Sequence, residues 1–203
     1  IGVESPLKPY PSISLGAFEL TPLEVLKAYN TISQMGLKRE LQIVKHVTNQ
    51  RGDDLFTFFD ESSQVYEPKV FAVLVGMMKE TLISGTGQYS RKMGFNHIAA
   101  GKTGTTSDIK DAWFAGFTPF HSAVVWVGYD NATSHTLTGA SGALPIWTNY
   151  MREISKLHSD REFAFPREDI EKRTLSLEKL LELGVKEEKA KDTELIFINE
   201  FSD

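Results

Sequence analysis

The chain has 203 residues, of which 41% are apolar and 24% charged, so it can bury an ordinary core as one domain, or as one domain and a tail. Its net charge of −5 and its lack of clustered Lys and Arg argue against a nucleic-acid surface. Zero cysteines exclude disulfides, cysteine nucleophiles and cysteine-based metal sites. No apolar run reaches the roughly 18 residues that a membrane span needs.

The N-terminal part predicts an irregular segment followed by a helix. Prolines are frequent in residues 5–16, which favours an irregular surface segment. Thr21 can then cap a helix in which Pro22 takes the first position and Glu24 completes a capping box. Apolar residues recur at helical spacing after them, and Gly36 is expected to end the helix as a left-handed cap.

A β-hairpin and a second helix are predicted next. Polar and apolar residues alternate over 41–48 and more loosely over 55–59, and the polar residues 49–53 form a loop between them. Pro68 begins the second helix, whose apolar stripe we assign to the core, and Gly85 and Gly87 end it.

Three strands and a third helix follow. The strands are predicted at about 98–103, 113–118 and 122–129, and their short connections favour an antiparallel meander. Pro145 begins the next helix. Beyond His158 the chain becomes more charged, with one short helix predicted over 176–183, closed by Gly184, and a possible strand over 195–201.

The first meander strand carries the strongest chemical signal, because residues 101–106 read Gly-Lys-Thr-Gly-Thr-Thr. On an exposed strand, the cation of Lys102 and the neighbouring hydroxyls can bind a substrate carboxylate while the backbone pairs with an extended peptide. Gly104 has no side chain, which lets a substrate approach the backbone closely.

Two other interpretations compete with this one. Gly-Lys-Thr also ends a P-loop, but that motif requires a glycine where this chain has Asn96, and a helix directly after the lysine. Without that glycine and a helix N-terminus, no phosphate cradle forms. The plainest alternative is that Lys102 is a solvated strand residue and that the threonines merely favour β-structure.

With its flanks, the segment resembles the third active-site motif, K-T-G, of the penicillin-recognising serine enzymes, and in particular of class A penicillin-binding proteins. Further blocks resemble that family in the same order along residues 5–151. They are Pro11–Gly16 with Glu19–Glu24, Ser84–Gly87, Asp111–Pro119, Trp126–Asp130 and Gly142–Trp147.

The resemblance implies an α+β fold with an antiparallel sheet flanked by helices, as a partial penicillin-binding transpeptidase or serine β-lactamase-like domain. Residues 1–158 would be the C-terminal portion of the transpeptidase domain, and 159–203 a charged tail with a short helix and a possible strand. The implied activity is that of a peptidoglycan D,D-transpeptidase. A serine attacks the penultimate D-alanine carbonyl of a stem peptide, and the acyl group passes to an amine of a second stem.

The resemblance also implies partners and a location. The partners are peptidoglycan stem peptides, lipid-linked precursor glycan strands and β-lactam antibiotics, with no nucleic acid and no cofactor. The parent protein would be anchored in the membrane through a part that precedes this chain. It would act in the cell envelope, at the outer face of the cytoplasmic membrane.

Five residues carry the implied site. Lys102 and Thr105 are the catalytic candidates, because Lys102 brings positive charge to the substrate carboxylate and the serine cluster, and the Thr105 backbone N–H joins an oxyanion hole. The substrate-binding candidates are Lys102, Thr103, Gly104, Thr105 and Thr106. The hydroxyls of Thr105 and Thr106 would bind the carboxylate, whereas Thr103 would face the other side of the sheet.

The other conspicuous residues are given structural roles. We assign Asp111 to a turn, and Trp113, Trp126 and Trp147 to the core or to groove walls. The five histidines show no metal-binding spacing, so no metal is predicted.

The motifs that should hold the nucleophile are missing. No S-x-N is present. The S-x-x-K match at Ser107–Lys110 follows the motif strand directly, and the match at Ser176–Lys179 lies in the tail, so neither serine is assigned as nucleophile. We expect the nucleophile, its lysine and the S-x-N element before Ile1 in a longer parent, and we expect the chain alone to be inactive.

Two other functions stay open. In a D,D-carboxypeptidase or a β-lactamase, water would replace the acceptor amine, although the block Gly142–Trp147 disfavours this. In a non-catalytic penicillin-binding sensor module, acylation would serve signalling instead of cross-linking.

Overall fold

The computed structural model describes residues 1–16, 18–167, 170–182 and 193–198. The helices are α1 (Pro22–Ser33), α2 (Pro68–Ile83), α3 (Tyr89–Lys92), α4 (Leu144–Ile154) and α5 (Leu177–Glu182). The strands are β1 (Leu37–Arg39), β2 (His46–Thr48), β3 (Asp54–Thr57), β4 (Ser62–Gln64), β5 (Ala100–Thr105), β6 (Asp111–Phe117), β7 (Ser122–Gly128), β8 (Ile170–Leu175) and β9 (Thr193–Ile198). Short 3₁₀ turns occur at Pro11–Leu15 and Ser155–Leu157, and a π-helical turn at Gly139–Ala143.

Helix α1 begins as the sequence predicts. Thr21 Oγ1 accepts the Glu24 N–H at 3.2 Å, and Glu24 Oε2 accepts the Thr21 N–H at 2.9 Å, which completes the capping box. Pro22 occupies the first helical position, where its missing N–H costs nothing.

The exit from α1 is left-handed, as predicted, but it takes two residues instead of one. The last helical residue is Ser33, after which Met35 and Gly36 have φ angles of 52° and 86°. Glycine is needed at the second position because a Cβ on Gly36 would lie 2.4 Å from the ring of Phe71.

The predicted antiparallel meander is confirmed as a three-stranded sheet in the order β5-β6-β7. The first strand differs from the predicted range 98–103, because β5 begins and ends two residues later. Thr105 still pairs with Ala112, and the Thr106 N–H donates to the Asp111 carbonyl at 3.2 Å, so pairing continues up to the turn. The whole Lys-Thr-Gly-Thr run is therefore held in extended conformation.

The two faces of this sheet pack against different helices. One face presents Phe114 to α4, where its ring centroid lies 4.8 Å from that of the fully buried Trp147. The other face presents Ala100 and Phe117 to α1 and α2, where Val75 is also fully buried. The predicted α+β fold, an antiparallel sheet flanked by helices, is confirmed.

Residues between α1 and α2 form two small two-stranded sheets. The predicted hairpin is present as β2 and β3, both shorter than the alternating segments and exposed along their length. Strands β1 and β4 also pair and were not expected, because neither three-residue segment shows a pattern of its own.

The C-terminal segment packs back onto the domain. Phe163 is 4% exposed and joins the core of α1 and α2. Strand β8, which was not predicted, pairs antiparallel with β9, and Ile196 of β9 reaches Gly76 of α2. The tail helix appears as α5, while the predicted closing Gly184 and residues 199–203 lie outside the described residues. Across the described ranges, no helix is long and apolar enough to cross a membrane.

Candidate functional site

Strand β5 lies at an edge of the sheet, which determines where its backbone groups point. The Thr106 N–H donates to the Asp111 carbonyl, so Thr106 directs its backbone groups toward β6. In an antiparallel ladder alternate residues do the same, and the N–H and C=O groups of Lys102 and Gly104 therefore also point toward β6. The N–H and C=O groups of Thr103 and Thr105 are consequently directed away from β6, toward the open edge. This edge can accept an added extended chain.

Lys102 lies exposed at this edge and is partly oriented by its own strand. Its Nζ donates to the outward carbonyl of Thr103 at 3.0 Å. The side chain shares a face of the sheet with Gly104, because alternate residues of a strand point the same way. The cation is therefore held beside the groups that an added chain would meet.

Thr103 and Thr105 occupy the opposite face, as expected for Thr103. The Thr103 hydroxyl lies 2.7 Å from that of Thr86, in the turn that follows α2. The sequence pattern gave Thr86 no role, although it belongs to the Ser84–Gly87 block. A glycine of that block indicated the end of the helix, but no local signal indicated the partner strand.

Thr105 is tied to the π-helical turn. Its Oγ1 accepts the Gly139 N–H at 2.9 Å, which leaves the hydroxyl proton free to donate elsewhere. Gly139 lies so close to the sheet that a Cβ there would come 2.5 Å from the Trp113 carbonyl and 2.6 Å from the Gly104 carbonyl. Only glycine allows this contact.

Thr106 caps the turn between β5 and β6. Its Oγ1 accepts the N–H groups of Lys110 and Asp111, each at 3.0 Å. The Asp111 carboxylate accepts the Trp126 indole N–H at 2.8 Å and so links β6 to β7, whereas Asp111 takes part in the predicted turn through its backbone N–H and C=O. The Thr106 hydroxyl keeps one proton for a carboxylate, but both of its acceptor contacts serve the turn.

The three tryptophans divide between the two predicted environments. Trp147 is fully buried in the core. Trp113 and Trp126 are half-buried on the Lys102 face, with ring centroids 6.2 Å apart. A Cβ on Gly104 would lie 3.2 Å from the Trp113 Cβ. Because glycine has no Cβ, the surface of β5 next to the Trp113 side chain stays open; we call this surface the strip along Trp113.

No serine with S-x-x-K spacing in the described ranges has the surroundings of an activated nucleophile. In the turn after β5, Lys110 pairs with Asp108 at 3.1 Å, and in the tail Lys179 pairs with Glu182 at 2.8 Å. A third match, Ser5–Lys8, lies in the N-terminal segment before α1. Its serine lies outside any helix and donates to Glu24 Oε2 at 3.0 Å.

Comparison with known proteins connects this geometry to a family. The family model described as "Penicillin binding protein transpeptidase domain" matches residues 8–152. Penicillin-binding protein 1A of Aquifex aeolicus is 35% identical over 172 residues, which cover 84% of this chain and 23% of that protein. The chain thus spans about a quarter of the length of this relative.

Solved structures agree on the fold. The crystal structure of penicillin-binding protein 1A from Haemophilus influenzae superposes with a TM-score of 0.77 at 20% identity, covering 91% of this chain and 33% of that one. The Mycobacterium tuberculosis PonA1 protein in complex with penicillin V superposes with a TM-score of 0.70 at 24% identity, covering 82% of this chain and 50% of that one.

Proposed function

The chain belongs to the penicillin-binding protein transpeptidase domain family, in its class A branch. From this premise we propose that it forms the substrate-binding half of a peptidoglycan D,D-transpeptidase active site. The observation that carries the proposal is the edge position of β5. On that edge the Thr105 N–H points outward, and the exposed Lys102 donates from Nζ to the Thr103 carbonyl at 3.0 Å.

In the proposed reaction, a stem peptide adds to the edge of β5. Lys102 and the hydroxyl proton of Thr106 bind its terminal carboxylate from one face of β5, and the hydroxyl proton of Thr105 approaches it from the opposite face. Thr103 supports the strand. Gly104 leaves the strip along Trp113 open for the peptide. The Thr105 N–H would donate to the oxyanion that forms when the carbonyl is attacked.

The covalent step needs a serine nucleophile, and we assign none of the S-x-x-K serines of this chain to that role. The serine oxygen bonds to the penultimate D-alanine carbonyl carbon, and the serine proton passes to a base. The bond to the terminal D-alanine then breaks, and that residue leaves with a proton on its nitrogen. An amine of a second stem then attacks the acyl carbon, loses a proton and takes the acyl group, while the serine oxygen regains a proton and is freed. We assign the serine, its base and the S-x-N element to residues outside this chain.

The remaining partners and the location belong to the same proposal. A β-lactam carries a carboxylate beside a reactive carbonyl and would occupy the same edge of β5. The structurally similar PonA1 protein has been solved in complex with penicillin V, which supports this expectation. Lipid-linked glycan strands would be partners of the complete protein. We place that protein in the cell envelope, anchored at the outer face of the cytoplasmic membrane.

The test uses the complete gene product and a labelled penicillin. Lys102→Ala should slow second-order acylation by roughly 10²–10³-fold, because it removes a preorganised charge. The matched control is Lys8→Ala, which removes another exposed lysine. Lys102→Arg should restore only part of the rate, since a guanidinium differs in shape and cannot change its protonation state. Wild-type acylation of the alanine variant would return Lys102 to the role of a solvated strand residue.

A second measurement tests where the nucleophile resides. The purified 203-residue chain should form no stable penicillin adduct, because acylation needs a serine beside a base. Intact-mass and peptide mapping would detect any adduct. An adduct on Ser5, Ser107 or Ser176 would show that the chain supplies its own nucleophile.

A further inference from the structure

In the loop after β7, His135 contacts the turn that follows β5. The His135 backbone N–H donates to the Ile109 carbonyl at 2.9 Å, in the turn that Thr106 caps. Its ring makes two more hydrogen bonds, to Leu137 and to Val127 of β7. A single residue therefore joins the turn after β5, the strand β7 and the loop between them.

The donors around the ring settle its tautomer. The Leu137 backbone N–H lies 3.0 Å from His135 Nδ1 and can only donate, so Nδ1 carries the lone pair. The neutral ring then carries its proton on Nε2, which donates to the Val127 carbonyl at 3.2 Å. The ring thus accepts on one side and donates on the other, and both partners are backbone groups. The Tyr129 ring, at 6.4 Å between centroids, flanks it.

The loop continues directly into the contact with Thr105. Two residues after Leu137, the N–H of Gly139 donates to Thr105 Oγ1. Between them Thr138 forms a capping box with Ser141, in which each side chain accepts the backbone N–H of the other residue. Residues 137–139 are therefore fixed at both ends, by the His135 ring and by the capped π-helical turn.

The fit at Gly139 leaves little tolerance. A Cβ there would come 2.5 Å from the Trp113 carbonyl, so the backbone already lies against the sheet at contact distance. A shift of Leu137 would move Gly139 along the sheet and lengthen its bond to Thr105. The orientation of the Thr105 hydroxyl hence depends on where residues 137–139 are held.

We propose that His135 is a positioning residue for the Thr105 end of the motif strand, acting through Leu137 and Gly139. It holds the approach to Gly139 through its Nδ1 acceptor, and it holds the turn after Thr106 through its backbone N–H. The effect on acylation rests on the proposed function, whereas the effect on Gly139 does not.

Three substitutions separate the ring's contributions. His135→Asn keeps an acceptor that can take the N–H two residues ahead, as in an Asx turn. His135→Gln keeps a donor with the reach of Nε2 but offers no acceptor at the Nδ1 position. His135→Ala removes both. His46→Ala, in the exposed strand β2, is the matched control.

The first readout is amide hydrogen exchange of Gly139 in the 203-residue chain. The alanine and glutamine variants should exchange roughly tenfold faster at Gly139, because a hydrogen bond that holds its approach is lost. The asparagine variant and the control should remain within about twofold of wild type. In ¹⁵N spectra, the wild-type His135 ring should be protonated at Nε2. A ring protonated only at Nδ1, or equal Gly139 exchange in the alanine and asparagine variants, would overturn the proposal.

The second readout is penicillin acylation of the complete gene product. The alanine variant should react several-fold more slowly, and the asparagine variant should recover most of the loss. If wild type is not acylated, the proposed function fails while the exchange data still decide the role of His135. If wild type is acylated and all variants match it although Gly139 exchange has changed, His135 positions Gly139 without serving the reaction, and the proposal is wrong.

Discussion

The hydroxyls of Thr86 and Thr103 lie 2.7 Å apart, although 17 residues separate them in sequence. The contact joins the turn after α2 to the motif strand, on the face opposite Lys102. It gives the Thr103 hydroxyl a hydrogen-bond partner within the chain. A hydroxyl pair shares one proton in the bond and leaves the other free, so the pair can still donate to a ligand.

Replacing Thr86 by valine should weaken the site more than the fold. Because the pair is exposed, its loss should cost at most about 1 kcal/mol of unfolding free energy. In the complete gene product, penicillin acylation should slow by roughly 2- to 10-fold, the kinetic equivalent of one neutral hydrogen bond. Urea titration and acylation kinetics measure the two effects. Thr86→Ser retains the hydroxyl and should behave as wild type; an equally slow serine variant would exclude the hydroxyl as the cause.

Glu24 ties the N-terminal segment to helix α1. Its carboxylate accepts the backbone N–H groups of Glu4, Ser5 and Thr21 and the hydroxyls of Ser5 and Thr21. The donors of Thr21 and Ser5 hold the pKa of Glu24 far below its usual 4.5, at about 2, with the Thr21 backbone N–H as the largest cause. The capping box was readable in the sequence, but the contribution of residues 4 and 5 was not.

This depressed pKa predicts an acid-dependent loss of stability. The carboxylate is preferred in the folded chain, so its contribution is complete above pH 4.5 and is lost as the pH falls toward 2. Glu24→Gln should be less stable than wild type at pH 7, and the difference should shrink between pH 4.5 and 2. Urea midpoints across this range test it, with the exposed Glu19→Gln as control. A difference that is constant with pH would contradict the assignment.

Much of the sheet and little of the contact network could be predicted from the sequence. The meander was predictable because its strands are apolar and its connections short, so local pattern and tertiary pairing agree. The ends of β5 were displaced by two residues because ladder pairing with Asp111 and Ala112, not the residue pattern, sets them.

The partners of the motif residues depend on contacts distant in sequence. Gly139 meets Thr105 across 34 residues, and nothing in either segment indicates the other. The tail was harder for a related reason. Three of the six residues of strand β8 are exposed and three are charged, so its pairing with β9 depends on a neighbour and not on its own pattern.

The contact between Gly76 and Ile196 tests whether the tail packs on α2. Gly76→Ala has two opposing effects on the unfolding free energy. The higher helix propensity of alanine stabilises by about 1 kcal/mol. The new Cβ would lie 2.9 Å from Ile196 Cδ1, and this steric conflict destabilises. In wild type the two should nearly cancel. In an Ile196→Ala background the contacts with Cδ1 and Cγ1 are removed and only the Cβ contact at 3.3 Å remains, so the same substitution should stabilise by up to about 1 kcal/mol. Urea unfolding of the four variants gives the coupling energy. Zero coupling would mean that β9 does not contact α2 in solution.

Two buried threonines differ in whether their hydroxyl group has a hydrogen-bond partner. Thr148 of α4 is fully buried, and its Oγ1 has no hydrogen-bond partner among the described residues. Thr31 of α1 is 1% exposed, but its Oγ1 donates to the Lys27 carbonyl at 3.0 Å, with the Ile1 carbonyl at 3.3 Å.

A buried hydroxyl without a partner costs roughly 1–3 kcal/mol, so Thr148→Val should raise the unfolding free energy by about 1 kcal/mol. Thr31→Val removes a satisfied hydroxyl and should lower it by about 1 kcal/mol. Urea titration of both variants measures the contrast, and a destabilised Thr148→Val would indicate that a bound water satisfies the hydroxyl in solution.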